Sequence, residues 1–565
     1  MGEKPSYKTL DRLSSKKPIK YAVYLSAIIF FISVILLPPI LGILVKWNLI
    51  GRIFEKPELL NEATSAIYAS FGIAFLVSII DVITGLPFAW YIVRGKARVL
   101  SALDTLADMP FIVPTTALGY SLLLFWSKPE GISQLFNTQS LLSPGWLLVI
   151  LLHFVFSYPV VVRVLVGALM DYRMEYEEAA RTLGAAPFTA DRTVTLPIIK
   201  SSIIAAFTLA FARSISETGA TMMVAGTFAN GAIFIKNMKL AAETAAKQGL
   251  IEEAARYTGA MLFTSVVLIV ISAIIFAVIR GAGAKLRLPI RKVWPAAERK
   301  LSSKGLTISR NVISLIIFFS LIIIPSIFVA FPALSAVFTD TLRDAFTGQR
   351  VWANFWSSIG LSYAVAAFAT IINVVAGLPM AILIARRTLG RAAASVFDVL
   401  TDIPIIIPST ALGASLSIFW KESFAFLPEI WPLIFAHLAI TYPYYVKSMA
   451  AAIQRINKEY EEAARTLGAR PFTVFRTIVF PLTKYSMFAG AIMVFTRSVS
   501  ETGATVAVVE KLTTAPVLLV KWIPKNGAPE LPATPLDRAL GCGFLIVFSF
   551  IILLIMRLLV KEERK

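Results

Sequence analysis

Charged residues inside apolar runs are the first place to look for chemistry in this chain. Two such runs read ARSISETGAT at 212–221 and TRSVSETGAT at 496–505. Arg213 with Glu217, and Arg497 with Glu501, are spaced i,i+4, so on a helix each pair shares one face. An isolated charge at the bilayer centre costs roughly 2.5–3.5 kcal/mol on insertion scales. Pairing lowers that cost, and facing an aqueous path lowers it further. Ser216 and Ser500 add hydroxyls that face water or bond back to the helix. Gly219 and Gly503 permit a bend or close packing. Such a set suits a gate or path for a small charged solute, with an internal ion pair that glues spans together as the competing reading. Asp104 with Asp108, and Asp398 with Asp402, repeat the i,i+4 spacing just before Pro110 and Pro404. For Asp108 and Asp402 the two readings are pore lining and local capping of a helix broken by proline. His153 and His437 each stand five residues before a Tyr-Pro and are expected to be buried and hydrogen-bonded rather than metal ligands or proton relays. No Ser/His/Asp set, HExxH or CxxC pattern supports an enzyme.

The elements that must position these residues are duplicated. EYEEAARTLGAAPFTADRTVTLP at 175–197 returns as EYEEAARTLGARPFTVFRTIVFP at 459–481, an offset of 284 residues. Tyr176, Ala179, Ala180 and Leu183 fall at i, i+3, i+4 and i+7, a narrow apolar stripe on a short helix. Glu175, Glu177, Glu178 and Arg181 point elsewhere, and Glu177 with Arg181 makes a favourable i,i+4 pair. Gly184 and the following Pro187 give the usual stop signal. Tyr460, Ala463, Ala464, Leu467, Gly468 and Pro471 repeat the plan. A small-residue apolar face between membrane spans reads as a docking knob.

Glu178-Ala179-Ala180, Gly184, Val194 and Leu196-Pro197 resemble the signature of permease subunits in binding-protein-dependent ABC importers. Glu462-Ala463-Ala464, Gly468, Ile478 and Phe480-Pro481 resemble it too, with Phe480 in the Leu place. The resemblance implies a type I importer permease fold, with each loop a coupling helix seated in a cleft of a cytoplasmic ATPase. It also implies that the fifth span of each half lines the path and contributes to the gate. Glu253-Ala254-Ala255 and Gly259 match the first half of the pattern, lack the downstream Leu-Pro, and are read as a decoy on the external side.

Composition agrees with a polytopic all-α membrane protein. Of 565 residues, 57% are hydrophobic and 16% charged, with mean hydropathy +0.75, whereas a soluble protein is nearer a quarter charged. A span needs roughly 20 apolar residues, and twelve are expected. Six lie at 21–45, 65–93, 99–126, 145–170, 197–226 and 258–280. Six more lie at 310–337, 357–386, 393–420, 430–452, 481–509 and 538–560. This gives two parallel six-helix repeats, 1–280 and 310–565, with coupling loops at 171–196 and 455–480 and a basic cytoplasmic linker at 281–309. Lys and Arg number 22 in the first-half segments 1–20, 94–98, 171–200 and 280–310, against 7 in 48–64, 127–144 and 227–257. The richer set is cytoplasmic by the positive-inside rule, which puts both termini and both docking loops inside, in a cell (plasma) membrane. The net charge of +20 is spread over loops, which argues against nucleic acid as a partner. One cysteine, Cys542, excludes an intramolecular disulfide.

The chain has no G-x-x-x-x-G-K-[ST] phosphate loop. The reading is therefore a permease and not an enzyme, with no cofactor of its own. ATP and Mg would be bound by a partner ABC ATPase dimer, and an external solute-binding protein would deliver the cargo. An ion-coupled secondary transporter is the alternative, though many of those use inverted rather than parallel repeats. As to cargo, a fused double permease resembles ferric-iron and thiamine importers. The Ser-Glu-Thr-Gly-Ala-Thr runs look more like sulfate, molybdate and tungstate permeases. Pro197 and Pro481 start the fifth spans at the docking loops, so one rigid rod is expected to carry a push from each loop to the gate.

Overall fold

The computed structural model describes residues 11–95, 99–285, 294–523 and 532–561. Lys4, Lys8, Lys96, Arg98, the linker stretch 286–293 with Pro289, and the tail from 562 lie outside them. The described residues form helices and no strand. The first half runs α1 (Lys17–Val45), α2 (Pro57–Arg94), α3 (Val99–Leu106), α4 (Thr115–Ser127), α5 (Trp146–Met170), α6 (Glu175–Thr182), α7 (Lys200–Ser216), α8 (Gly219–Val224), α9 (Gly231–Lys247) and α10 (Ile251–Lys285). After α11 (Pro295–Leu301) the plan repeats. The second half holds α12 (Lys304–Val337), α13 (Phe355–Arg386), α14 (Arg391–Ile406), α15 (Ser409–Ser423), α16 (Ile430–Gln454), α17 (Lys458–Thr466), α18 (Phe480–Val499), α19 (Gly503–Val508), α20 (Ala515–Lys521) and α21 (Pro535–Lys561).

Among the described residues, eight helices are long and apolar enough to cross a membrane, and three bent pairs raise the number to as many as 11. The twelfth expected span is α16, whose 25 residues include His437, Tyr444 and Lys447 and which falls outside that set. The spans expected at 99–126 and 393–420 are not continuous. Each is two helices meeting at 102° and 101° respectively. The cause is local: Val113 and Ile407, each followed by proline, take extended backbone, as the clash with a proline ring demands. The rigid rod expected at 197 also needs correction. In the first half the helical pieces Pro187–Ile198 and Lys200–Ser216 meet at 69°, whereas Pro471–Val499 is one span.

The two halves interleave. α1 packs on α13 and α15 of the second half, and α12 packs on α2 and α4 of the first. One hydrophobic core joins Phe88, Tyr120 and Leu148 to Phe318, Trp352 and Trp522. The other joins Phe31, Ile35 and Phe234 to Leu412, Tyr442 and Val494. The connection between third-span and fourth-span elements is shorter in the second half, where Ser423 leads almost directly to Ile430, while the first half inserts a turn at Ile132–Phe136.

Candidate translocation centre and docking helices

The fifth span of each half breaks just past its arginine. α7 ends at Ser216, Glu217 is extended (φ −77, ψ 126), and α8 begins at Gly219. α18 and α19 leave the same break around Glu501 and Thr502. The expected shared helical face for Arg213 and Glu217 is therefore interrupted. Each glutamate turns to the new helix instead: Glu217 Oε1 accepts from the Ala220 N–H at 2.8 Å, and Glu501 Oε1 from Ala504 at 2.9 Å. A carboxylate there satisfies orphan N–H groups at a helix start.

The two breaks meet across the molecule. Thr115 Oγ1 donates to the Ser500 carbonyl at 3.0 Å, and Ser409 Oγ to the Ser216 carbonyl at 3.2 Å. A Cβ on Gly219 would stand 2.5 Å from Thr502 Oγ1, and one on Gly503 would stand 2.8 Å from Thr218 Cβ, so only glycine fits at either place. Glu217, Thr218, Glu501 and Thr502 are all buried. The centre is thus a tight, polar, closed crossing.

Histidines hold the breaks. His153 Nδ1 meets Ser214 Oγ at 2.8 Å and Nε2 meets Thr221 Oγ1 at 2.9 Å. His437 repeats this with Ser498 at 2.7 Å and Thr505 at 3.0 Å. Each ring spans from the residue before the break to one beyond it. No group of three metal-ligating side chains occurs among the described residues.

The arginines differ. Arg497 Nη1 lies 2.6 Å from Glu501 Oε2. Arg213 has no carboxylate within 4.0 Å among the described residues. Its guanidinium lies 3.8 Å from the Phe156 ring centre and 6.0 Å from that of Phe111. Tyr444 interacts with both arginines.

Asp108 and Asp402 are neither helix caps nor isolated. Asp108 precedes a short helix with no side-chain cap bond. Arg163 of α5 reaches Asp108 at 2.6 Å and Asp104 at 2.7 Å, and Lys447 of α16 reaches Asp398 at 2.6 Å and Asp402 at 3.1 Å. These clasps brace the broken third spans against the fourth. Sequence reasoning missed Arg163 and Lys447, although their 284 offset was visible.

The docking segments are short helices ended by glycine with positive φ, +92 at Gly184 and +87 at Gly468. Leu183 and Leu467 are each 89% exposed, and Tyr176 and Tyr460 are exposed beside them, with Glu178 and Glu462 on the surface. Ala179 and Ala463 are exposed, and Ala180 and Ala464 are half-buried. The inward residue is Glu177, only 2% exposed, which binds Arg181 and Arg94, each at 2.7 Å. Glu461 binds Arg386 at 2.5 Å. Arg94 and Arg386 end the second spans, so each knob is seated on α2 or α13.

Further ties cross between halves. On the linker helix α11, Glu298 accepts from Thr189 Oγ1 at 2.5 Å and pairs with Arg192 at 2.7 Å, and Ser302 Oγ accepts from the Phe188 N–H at 2.9 Å. Hydrogen bonding from Thr189, with Arg192 behind it, holds the Glu298 carboxyl below the usual carboxylate range. At the matching place in the second half, the N-terminal segment supplies Asp11, which accepts from the Thr473 N–H at 2.9 Å, and Ser14, which accepts from Phe472 at 3.1 Å.

A family model described as "Binding-protein-dependent transport system inner membrane component" matches residues 75–287 and again 377–564. The chain is 30% identical over 215 residues to the sulfate transport system permease protein CysT of Salmonella typhimurium, covering 37% of this chain and 76% of that one. It is 31% identical over 217 residues to the probable sulfate transport system permease protein cysT of Marchantia polymorpha, covering 36% and 72%. The molybdenum transport system permease protein ModB of Mycobacterium bovis is 30% identical over 214 residues, covering 36% and 76%.

Proposed function

This chain belongs to the family of binding-protein-dependent transport system inner membrane components, and from that premise we propose that it supplies the whole transmembrane path of an ATP-driven oxyanion importer in one polypeptide. The family match falls once in each half. Relatives named for sulfate and molybdenum transport favour an oxyanion over ferric iron or thiamine. The knobs α6 and α17 receive a cytoplasmic ATPase dimer that binds ATP and Mg, and an external binding protein delivers the anion. Both termini lie on the ATPase side. The crossing at Glu217–Gly219 and Glu501–Gly503, flanked by Ser216 and Ser500, is the gate.

One observation carries this reading. Two equivalent helices, 284 residues apart, present a leucine at 89% exposure beside an exposed tyrosine. Single exposed apolar residues are common on protein surfaces, and it is the return of the same Leu-Tyr face at the same spacing in both halves that favours a partner here. The test is reconstitution of the chain in proteoliposomes with a cognate ATPase and binding protein. Uptake of labelled sulfate or molybdate that requires ATP is the expected result. Uptake driven by an ion gradient with no ATPase present would move the chain to the secondary transporters.

A further inference from the structure

The central arginines are equivalent in sequence and unlike in place, and the difference has an identifiable source. Phe156 of the first half stands where the second half has Ile440, and Phe111 stands where it has Ile405. Two aromatic faces are therefore present around Arg213 and absent around Arg497. A guanidinium is attracted to a ring face, and Arg213 lies 3.8 Å from the Phe156 centroid. Arg497, with no ring at that place, closes on Glu501 at 2.6 Å. Tyr444 stands where the first half has Val160 and interacts with both cations.

The two modes of holding leave different chemistry available. Stacking grips a guanidinium by its face and leaves the N–H groups in its plane to donate elsewhere. A carboxylate consumes both the charge and the donors it meets. Arg213 Nε is buried without a hydrogen-bond partner, and so is Arg497 Nε, but only Arg497 has its charge neutralised within ion-pair distance. An unmet buried donor costs about 1–3 kcal/mol on either side, but only on the Arg213 side does the cation also lack a carboxylate at ion-pair distance, so the crossing favours a passing anion there.

We infer that Arg213 is the transient contact for a tetrahedral oxyanion in transit, and that Arg497 with Glu501 is a fixed structural pair. This rests on the oxyanion-importer reading above. A planar fork matches two oxygens of such an anion at once. A single cation, rather than two converging ones, keeps the contact weak enough for release, as conduction requires.

The experiment uses the full chain reconstituted with its ATPase and binding protein, with molybdate and sulfate as the transported probes. Arg213→Gln lowers ATP-dependent uptake at least tenfold and Arg213→Lys keeps part of it, while Arg497→Gln, which strands the buried Glu501 carboxylate, lowers the thermal unfolding midpoint more than Arg213→Gln does. Where Arg213→Gln fails to fold by thermal unfolding, Phe156→Ile decides in its place: it frees Arg213 to turn toward a carboxylate, and uptake falls at least threefold. Wild-type uptake in Arg213→Gln, or an unfolding midpoint lowered no more by Arg497→Gln than by Arg213→Gln, overturns the inference. Absence of ATP-dependent oxyanion uptake in the unaltered protein instead overturns the importer reading on which it stands.

Discussion

His153 and His437 show how much a single side chain decides here. Each ring is buried and bonded at both nitrogens, to one hydroxyl before the break in the fifth span and one after it. Thr221 also donates to the Glu217 carbonyl at 3.2 Å, so its hydroxyl keeps a second bond if the histidine is lost. The Ser214 hydroxyl has no such second bond among the described residues and is fully buried. His153→Leu therefore destabilises the protein by about 1–3 kcal/mol, the cost of orphaning a buried polar group. A lowered unfolding midpoint in detergent checks this, and a chelator in the unaltered protein leaves that midpoint in place. A midpoint that falls with the chelator would instead point to a bound metal. The burial of these histidines was legible from their apolar surroundings. Their partners were not, because they lie 61 and 68 residues away along the chain. The same distance hid Arg163 and Lys447, which turn the paired aspartates from a question about capping into clasps between spans.

At the scale of elements, periodicity located the docking helices well and predicted their glycine stops. What it could not supply was the seat. Glu177 was assigned only its local partner Arg181, yet it also binds Arg94, 83 residues back. Glu177 is nearly enclosed and Arg94 only partly exposed, at 17% of its side chain. Losing one member of a buried pair costs about 3–5 kcal/mol, and the partial exposure of Arg94 puts this pair at or below the lower end. Arg94→Ala should therefore detach α6 from α2, weakening ATPase association and uptake together. The double variant Arg94→Ala/Glu177→Ala removes the stranded carboxylate and recovers part of the thermal stability while uptake stays low. Equal stability in the single and double variants would show that the pair contributes little to the seat. The bend of 69° in the first half, against one continuous span in the second, was invisible to pattern reading because both stretches carry the same Leu/Phe-Pro start. The two short helices are consequently joined to the crossing along paths of different shape.

On the scale of the whole molecule, the duplication was readable and the interleaving was not. Each half lends its leading segment to the other: α1 and α12 pack across, and Asp11 and Glu298 tie down the opposite docking regions. Nothing in a linear repeat distinguishes packing within a half from packing between halves. Orientation, by contrast, rests on charge counting alone, and it has a direct test. Cys542 is 1% exposed, so the natural chain should be silent to a membrane-impermeant maleimide. Leu183 and Leu467 mark the tips of the docking helices, each 89% exposed, while Leu135 and Phe426 are 81% and 80% exposed at the opposite ends of the fourth spans. Leu135→Cys and Phe426→Cys should label in intact cells. Leu183→Cys and Leu467→Cys should label only after the membrane is opened, and co-expression with the ATPase should then protect them. Labelling of Leu183→Cys and Leu467→Cys from outside would invert the molecule, and with it the side from which ATP-driven work is applied. Because the two knobs are tied to opposite halves through α11 and the N-terminal segment, protection should appear at both positions together, not at one.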